Sequence, residues 1–285
     1  MKGIILAGGK GSRLYPLTNI INKSLLPVYD KPMIYYPLST LIENKINEII
    51  IISSLDYISF YKDLLKDGSQ FGIKLNYLIQ TEPKGIAEAF IIAANLIKNE
   101  KVCLILGDNI FYGDTTFKKA FKNFDSGATI FGYEVNDPER YGVVEFDESG
   151  QAISIEEKPP QPKSKYAIPG LYLYDEEVAE IAKSLKPSPR GELEITDINK
   201  NYLKRKKLKV QKMNRGCAWL DAGTCASLHE SAAYVQAIEA RQGIKVGCPE
   251  EAALESGLLS LRSFKNTLNS IPDSEYKNYL KKLCT

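Results

Sequence analysis

Histidine is almost absent: His229 is the only one in 285 residues. That scarcity excludes most histidine-based acid–base schemes and leaves little from which to build a zinc site. His229 falls in a helix-like stretch and reads as a surface or packing residue. Cysteine is sparse too, with five scattered residues and no C-x-x-C pair. An odd number without paired spacing excludes a disulfide scaffold and fits reduced thiols in the cytoplasm. Charge of one sign is missing as well, since 37 Lys plus Arg face 35 Asp plus Glu, a formal +2. This balance argues against a nucleic-acid partner. No apolar run reaches the ~18 residues that span a bilayer, so no membrane partner is expected. Glycines follow the first seven residues where a signal peptide would carry its apolar region, which again points to the cytoplasm.

What is present is ordinary globular composition, 44% hydrophobic and 25% charged. Short apolar runs over 3–7, 48–53, 74–80, 102–107 and 128–133 read as strands covered on both faces. Helical patterns over 36–44, 58–66 and 86–97 alternate with them, which predicts an α/β fold with a mainly parallel sheet. After about residue 137 the texture changes. Shorter strands are predicted over 142–146, 152–155 and 168–174, around a proline-rich stretch at 158–162. Helices are predicted over 192–203 and 224–241, then short helices from 250 to 283. The basic run 204–207 reads as a solvated helix end.

The most informative segment is LAGGKGSRL, residues 6–14, where a strand runs into a glycine-rich turn bearing cations. Glycines let backbone N–H groups approach a phosphate, and Arg13 can grip its oxygens with two parallel bonds. Lys23 offers a second positive charge ten residues on. The pattern is neither a Walker loop nor a dinucleotide fingerprint, because Leu14 stands where a third glycine belongs. The plain alternative is a tight turn with surface cations. Asp108, after the apolar run 102–107, and Asp221, after Trp219-Leu220, suit Mg²⁺, which takes one or two carboxylates plus phosphate oxygens. Either aspartate alone also fits a turn cap. Glu157 and Lys158, with Gly142 and Tyr172, suit a sugar pocket, or simply a charged strand end.

Taken together, these segments resemble the sugar-phosphate nucleotidyltransferases. LAGGKGSRLYPLT and KSLLPVYDKPMIYYPLS begin the match. Gln80 with Gly85-Ile86-Ala87, then LGDNIFYG, NDPERYGVVEF, EEKP, RGELEITDIN and AWLDAGT follow in the family's order, over residues 3 to about 251. The resemblance is to the thymidylyl-transferring members. It implies a Rossmann-like, three-layer α/β/α fold with a mixed, mainly parallel central sheet and a small sugar-binding β subregion. One domain over 1–285 is implied, with a nucleotide half at 1–136, a sugar-phosphate half at 137–224 and a C-terminal helical part at 225–285. The implied reaction is dTTP plus α-glucose 1-phosphate to dTDP-glucose plus pyrophosphate, the first step toward dTDP-rhamnose or another deoxysugar.

The same resemblance assigns roles. Leu6, Gly8, Gly9, Gly11, Ser12, Gln80 and Gly85 would bind the nucleotide, with Gln80 and Gly85 at the pyrimidine edge. Arg13, Lys23 and Lys158 would carry the chemistry, and Asp108 and Asp221 would hold Mg²⁺. Gly142, Glu157, Lys158, Ile168 and Tyr172 would bind the sugar phosphate. A homotetramer inhibited by a downstream dTDP-sugar is the family's habit. Several positions depart from the pattern. Ser12 stands for Thr, and Ser24 stands for a Gln whose amide would bear on the breadth of sugar phosphates accepted. Cys217 replaces Thr or Tyr and reads as a small core residue, and Cys225-Ala226 replaces His and a polar partner. Glu255 is acidic where the family's secondary nucleotide site has a base, so weak or absent feedback inhibition is expected. A uridylyl-transferring enzyme and a non-catalytic nucleotide-sugar sensor are the alternatives. A dehydrogenase is disfavoured by the missing glycine.

Overall fold

The computed structural model describes residues 1–113 and 116–284. Residue 285, the last of the expected C-terminal part, lies outside them. The first half contains β1 (Lys2–Leu6), β2 (Pro27–Val28), β3 (Lys31–Pro32), α1 (Tyr35–Glu43), β4 (Glu48–Ser53), α2 (Ile58–Leu65), β5 (Lys74–Ile79), α3 (Glu88–Ile92), β6 (Val102–Leu106), β7 (Asn109–Tyr112), α4 (Thr116–Asn123) and β8 (Ala128–Glu134). Then come β9 (Gly142–Phe146), β10 (Ala152–Glu157), β11 (Tyr166–Ala167), β12 (Leu171–Tyr174), α5 (Val178–Ser184), α6 (Ile195–Lys204), β13 (Leu208–Lys212) and β14 (Ala218–Asp221). Four helices close the chain: α7 (Cys225–Gln242), α8 (Pro249–Ser256), α9 (Leu261–Ser270) and α10 (Glu275–Lys282).

The uninterrupted apolar runs are explained by burial on both faces. Along β1, Ile4 enters one core and Ile5 the other. Along β4, Ile49 and Ile51 face the core under α1, α2, α8 and α9, while Ile50 and Ile52 face the core under α3, α5 and α6. Strands β5, β4, β1 and β6 pair in parallel, β12 runs antiparallel beside β6, and β8 and β13 return to the parallel direction. The result is a mixed, mainly parallel sheet between two helical layers, as expected.

Several boundaries differ from expectation. The helix predicted over 86–97 stops at Ile92, and turns carry the chain on to Asn99, which has a left-handed φ of 59°. Of the predicted strand 168–174 only Leu171–Tyr174 is strand, β12, because Pro169-Gly170 interrupts it, and the short β11 (Tyr166–Ala167) precedes the break. Both pair with β8, but the register slips by two residues between them. That break divides the sheet: β12 continues to β6, whereas β11 continues to β9 and then β10. The helix predicted from 192 begins at Ile195. The pairs β7–β14 and β2–β3 and the strand β13 were not expected. The basic run closes α6, where Arg205 and Lys207 pair with Glu177. Among the described residues no cysteine forms a disulfide, and Cys217 is buried. His229 is exposed on α7, and among the described residues no helix is long and apolar enough to cross a membrane.

Candidate active site

In open α/β sheets ligands sit beyond the carboxyl ends of the parallel strands, where the strand order reverses. Here β1 is flanked by β4 on one side and β6 on the other, so the reversal falls at β1. The glycine-rich turn leaves β1 at that point, Gln80 leaves β5, and Asp108 follows β6. Asn22 ties the floor together. Its Nδ2 donates to the Ala7 carbonyl at 3.0 Å, and its Oδ1 accepts from Ser24 N at 2.9 Å and the Tyr61 hydroxyl at 2.6 Å. That cap starts the turn Lys23–Leu25 and aims Lys23 at Asp108.

Two cavities meet here. The first, about 280 Å³, is lined by Leu6, Gly9, Gly11, Ser12, Arg13, Lys23 and Asp108. Ser24 also reaches its wall, yet is itself buried. The second, about 190 Å³, takes in Gly142, Glu157, Lys158, Ile168, Tyr172 and Asp221. Arg13, Leu106 and Asp108 belong to both walls. Three of the sequence-predicted residues line neither cavity. Gly8 and Gln80 lie against each other, for a Cβ on Gly8 would collide with the Gln80 amide oxygen. Gln80 Nε2 donates to Glu88 at 2.7 Å. Gly85, with φ 104°, packs on the backbone of residue 193, a place no side chain would fit.

Each acidic side chain has its orientation set. Asp108 pairs with Lys23 and accepts from Asn109 Nδ2 at 2.7 Å. Asn109 is itself pinned, its Oδ1 accepting from Gly170 N at 2.9 Å and Trp219 Nε1 at 2.7 Å. Burial pushes the Asp108 carboxyl up, but Lys23 and Asn109 together outweigh it and hold it below the usual range. Asp221 sits opposite Asn109 in the β7–β14 register. Burial raises its carboxyl, the nearby Asp108 charge adds to this, and Arg140 (Nη2 3.5 Å away) and the Tyr141 hydroxyl only partly counter it. On the opposite wall Glu157 accepts from the Thr196 hydroxyl at 2.5 Å and lies 3.4 Å from Arg190. Lys158 holds a left-handed φ of 43°, fixed by its N–H donating to the Tyr141 carbonyl at 3.0 Å. Such a backbone is uncommon outside glycine and clusters at functional sites.

Arg140, Tyr141, Thr196 and Trp219 line the cleft and were not singled out beforehand. All four lie inside segments already noted, NDPERYGVVEF, RGELEITDIN and AWLDAGT. Their chemistry emerges only when β9, α6 and β14 converge.

Two carboxylates sharing one cleft suit a hard divalent cation that takes its remaining ligands from phosphate and water. The mutual repulsion of Asp108 and Asp221 is the kind of imbalance such a cation relieves. Among the described residues no cluster of three or more His, Cys, Asp or Glu forms a protein-only metal cage.

Known proteins give a consistent picture. The nucleotidyl transferase family model matches residues 2–237. A glucose-1-phosphate thymidylyltransferase of Neisseria gonorrhoeae is 53% identical over 283 residues, covering 98% of both chains. One from Mycolicibacterium smegmatis is 51% identical, covering 99% of both. A Bacillus anthracis structure described as a glucose-1-phosphate thymidylyltransferase aligns at TM-score 0.77 with 46% identity, over 82% of this chain and 94% of that one.

Proposed function

The chain belongs to the nucleotidyl transferase family, and from this premise we propose that it transfers a thymidylyl group from dTTP to α-glucose 1-phosphate, releasing pyrophosphate. One observation carries the reading: Asp108 and Arg13 stand on the wall shared by the glycine-turn cavity and the sugar-side cleft. A triphosphate in the first and a sugar phosphate in the second would meet there.

The chemistry needs no protein nucleophile. A sugar phosphate is already an anion at neutral pH, so no general base has to activate it. Its oxygen attacks the α-phosphorus in line. A new P–O bond forms, the bond to the β-phosphate breaks, and its electron pair leaves with pyrophosphate. The protein has to hold two mutually repelling anions in line and spread the developing charge. Arg13, Lys23 and the backbone of the glycine turn grip the triphosphate. Lys158 neutralises the sugar phosphate, while Glu157, Gly142, Ile168 and Tyr172 shape its sugar side. Gln80 and Gly85 set the edge that the pyrimidine meets. Asp108 and Asp221 would hold Mg²⁺, which supplies positive charge to the phosphate oxygens when bound. In this reading the product serves deoxysugar synthesis, and the enzyme works in the cytoplasm as a homotetramer.

The test is pyrophosphate release with glucose 1-phosphate, Mg²⁺ and each nucleoside triphosphate in turn, with product masses measured. Release with dTTP and a dTDP-glucose mass is expected. Faster turnover with UTP would make the enzyme a uridylyltransferase. No release with any combination would overturn the proposal.

A further inference from the structure

Asn199 is a buried donor in the cleft that the mechanism above leaves unused. It lies on α6 beside Ile195 and Thr196, is 0% exposed, and forms part of the cleft wall. Its Oδ1 accepts from the Tyr174 hydroxyl at 2.5 Å. Its Nδ2 has no hydrogen-bond partner, and among the described residues no other buried orphan side-chain atom belongs to this cleft. Buried donors are almost always satisfied, because an unmade bond is costly. Turning the amide over does not help, since Oδ1 would then become the orphan.

The side chain is also rigid. Tyr174 stacks between Tyr172, at 6.2 Å and 10°, and Tyr202, at 5.6 Å and 27°, with Phe90 edge-on at 5.4 Å. Tyr202 is anchored in turn by donating to Asp175 at 2.5 Å. A rigid donor without an acceptor calls for an oxygen from a ligand. A sugar hydroxyl suits that place, since the phosphate of the same substrate is assigned above to Lys158.

We propose that Asn199 reads the sugar: its Nδ2 donates to one hydroxyl of the hexose 1-phosphate in the cleft. The assignment rests on the reaction proposed above. Tyr174 is the positioning residue behind it.

The experiment compares wild type, Asn199→Asp and Asn199→Ala on α-glucose 1-phosphate and its 2-, 3-, 4- and 6-deoxy analogues, with dTTP and Mg²⁺. Asn199→Asp keeps the acceptor for Tyr174 and removes the donor. Its kcat/KM for glucose 1-phosphate should fall about ten- to a hundredfold, with the KM for dTTP unchanged. One monodeoxy analogue should be used equally well by variant and wild type, which identifies the hydroxyl. Equal losses across the panel, or no loss, overturn the proposal. Should neither variant fold, the wild-type panel decides. Discrimination against one position supports the assignment, and indifference to all four overturns it. A wild type that makes no dTDP-sugar at all overturns the proposed reaction instead.

Discussion

Gly8→Ala offers a sharp test of how the nucleotide side is built. An added Cβ would sit inside any permitted contact with Gln80 Oε1 and 3.2 Å from its Cδ. Non-bonded heavy atoms settle about 3.5 Å apart, so the amide must retreat by on the order of 1 Å. Gln80 is buried and its Nε2 is held by Glu88 at 2.7 Å, so the retreat breaks a hydrogen bond to a carboxylate. That costs about 1–3 kcal/mol, or a Tm lower by roughly 2–5 °C for a chain of this size. Displacing the amide should also raise the KM for dTTP about five- to thirtyfold while leaving the KM for glucose 1-phosphate unchanged. Gly9→Ala is the internal control for stability, because its added Cβ meets nothing within 4 Å. Thermal unfolding and steady-state kinetics read both effects. The refuting result comes from a cycle with Gln80→Ala. If Gly8→Ala costs as much in that background as in wild type, the clash is not with Gln80 and the reasoning fails.

Other outcomes follow from the same geometry. Asp108→Asn and Asp221→Asn should each remove most turnover while the circular dichroism stays that of a folded chain; wild-type turnover in either would break the metal assignment. Lys158→Ala should raise the KM for glucose 1-phosphate at least tenfold, and an unchanged KM would reject its role. Glu250 is buried, and burial outweighs the hydrogen bonds from Tyr276 and Cys248, so its carboxyl lies above the usual 4.5. The native state therefore keeps that proton longer than the unfolded chain, and stability falls as pH climbs from 4.5 toward the raised value. Glu250→Gln should flatten that slope in denaturant titrations between pH 4 and 7, and an unchanged slope would count against it. Glu255 puts an acid where the resemblance expects a basic residue of a secondary nucleotide site, so dTDP-rhamnose should not inhibit non-competitively with dTTP; tight inhibition of that kind would refute the expectation.

The strands of the central sheet were legible because burial on two faces leaves a plain mark: EIIIIS at 48–53 can hardly be anything but an interior strand. Tertiary contacts decided what periodicity alone had read differently. The apolar pattern past Ile92 continues at helical spacing, yet the chain turns and packs Ala93 and Ile97 without a helix. Residues 168–174 look like one strand, yet Pro169 cannot donate to a ladder and Gly170 gives its N–H to Asn109 instead. The strands of β7 and β14 are four residues each and exist only because they pair across more than a hundred positions of sequence.

The candidate site divides along a similar line. Glycines next to cations, and aspartates at strand ends, announce themselves through residue type and position, and these residues do converge on adjoining cavities. Neutral residues do not announce themselves. Thr196 matters because its hydroxyl donates to Glu157, and Trp219 because its indole N–H fixes Asn109, which in turn fixes Asp108. Asn199 goes furthest in this direction. Nothing in its type or spacing separates it from Asn201 two residues on. Asn201 even has a buried orphan oxygen of its own; a position on the cleft and a rigid tyrosine stack behind the amide are what turn the unmade bond of Asn199 into a chemical question about the sugar. Charge is visible in a sequence because it is a property of the residue. An unsatisfied donor is a property of the fold, so the residues that read uncharged parts of a substrate emerge last.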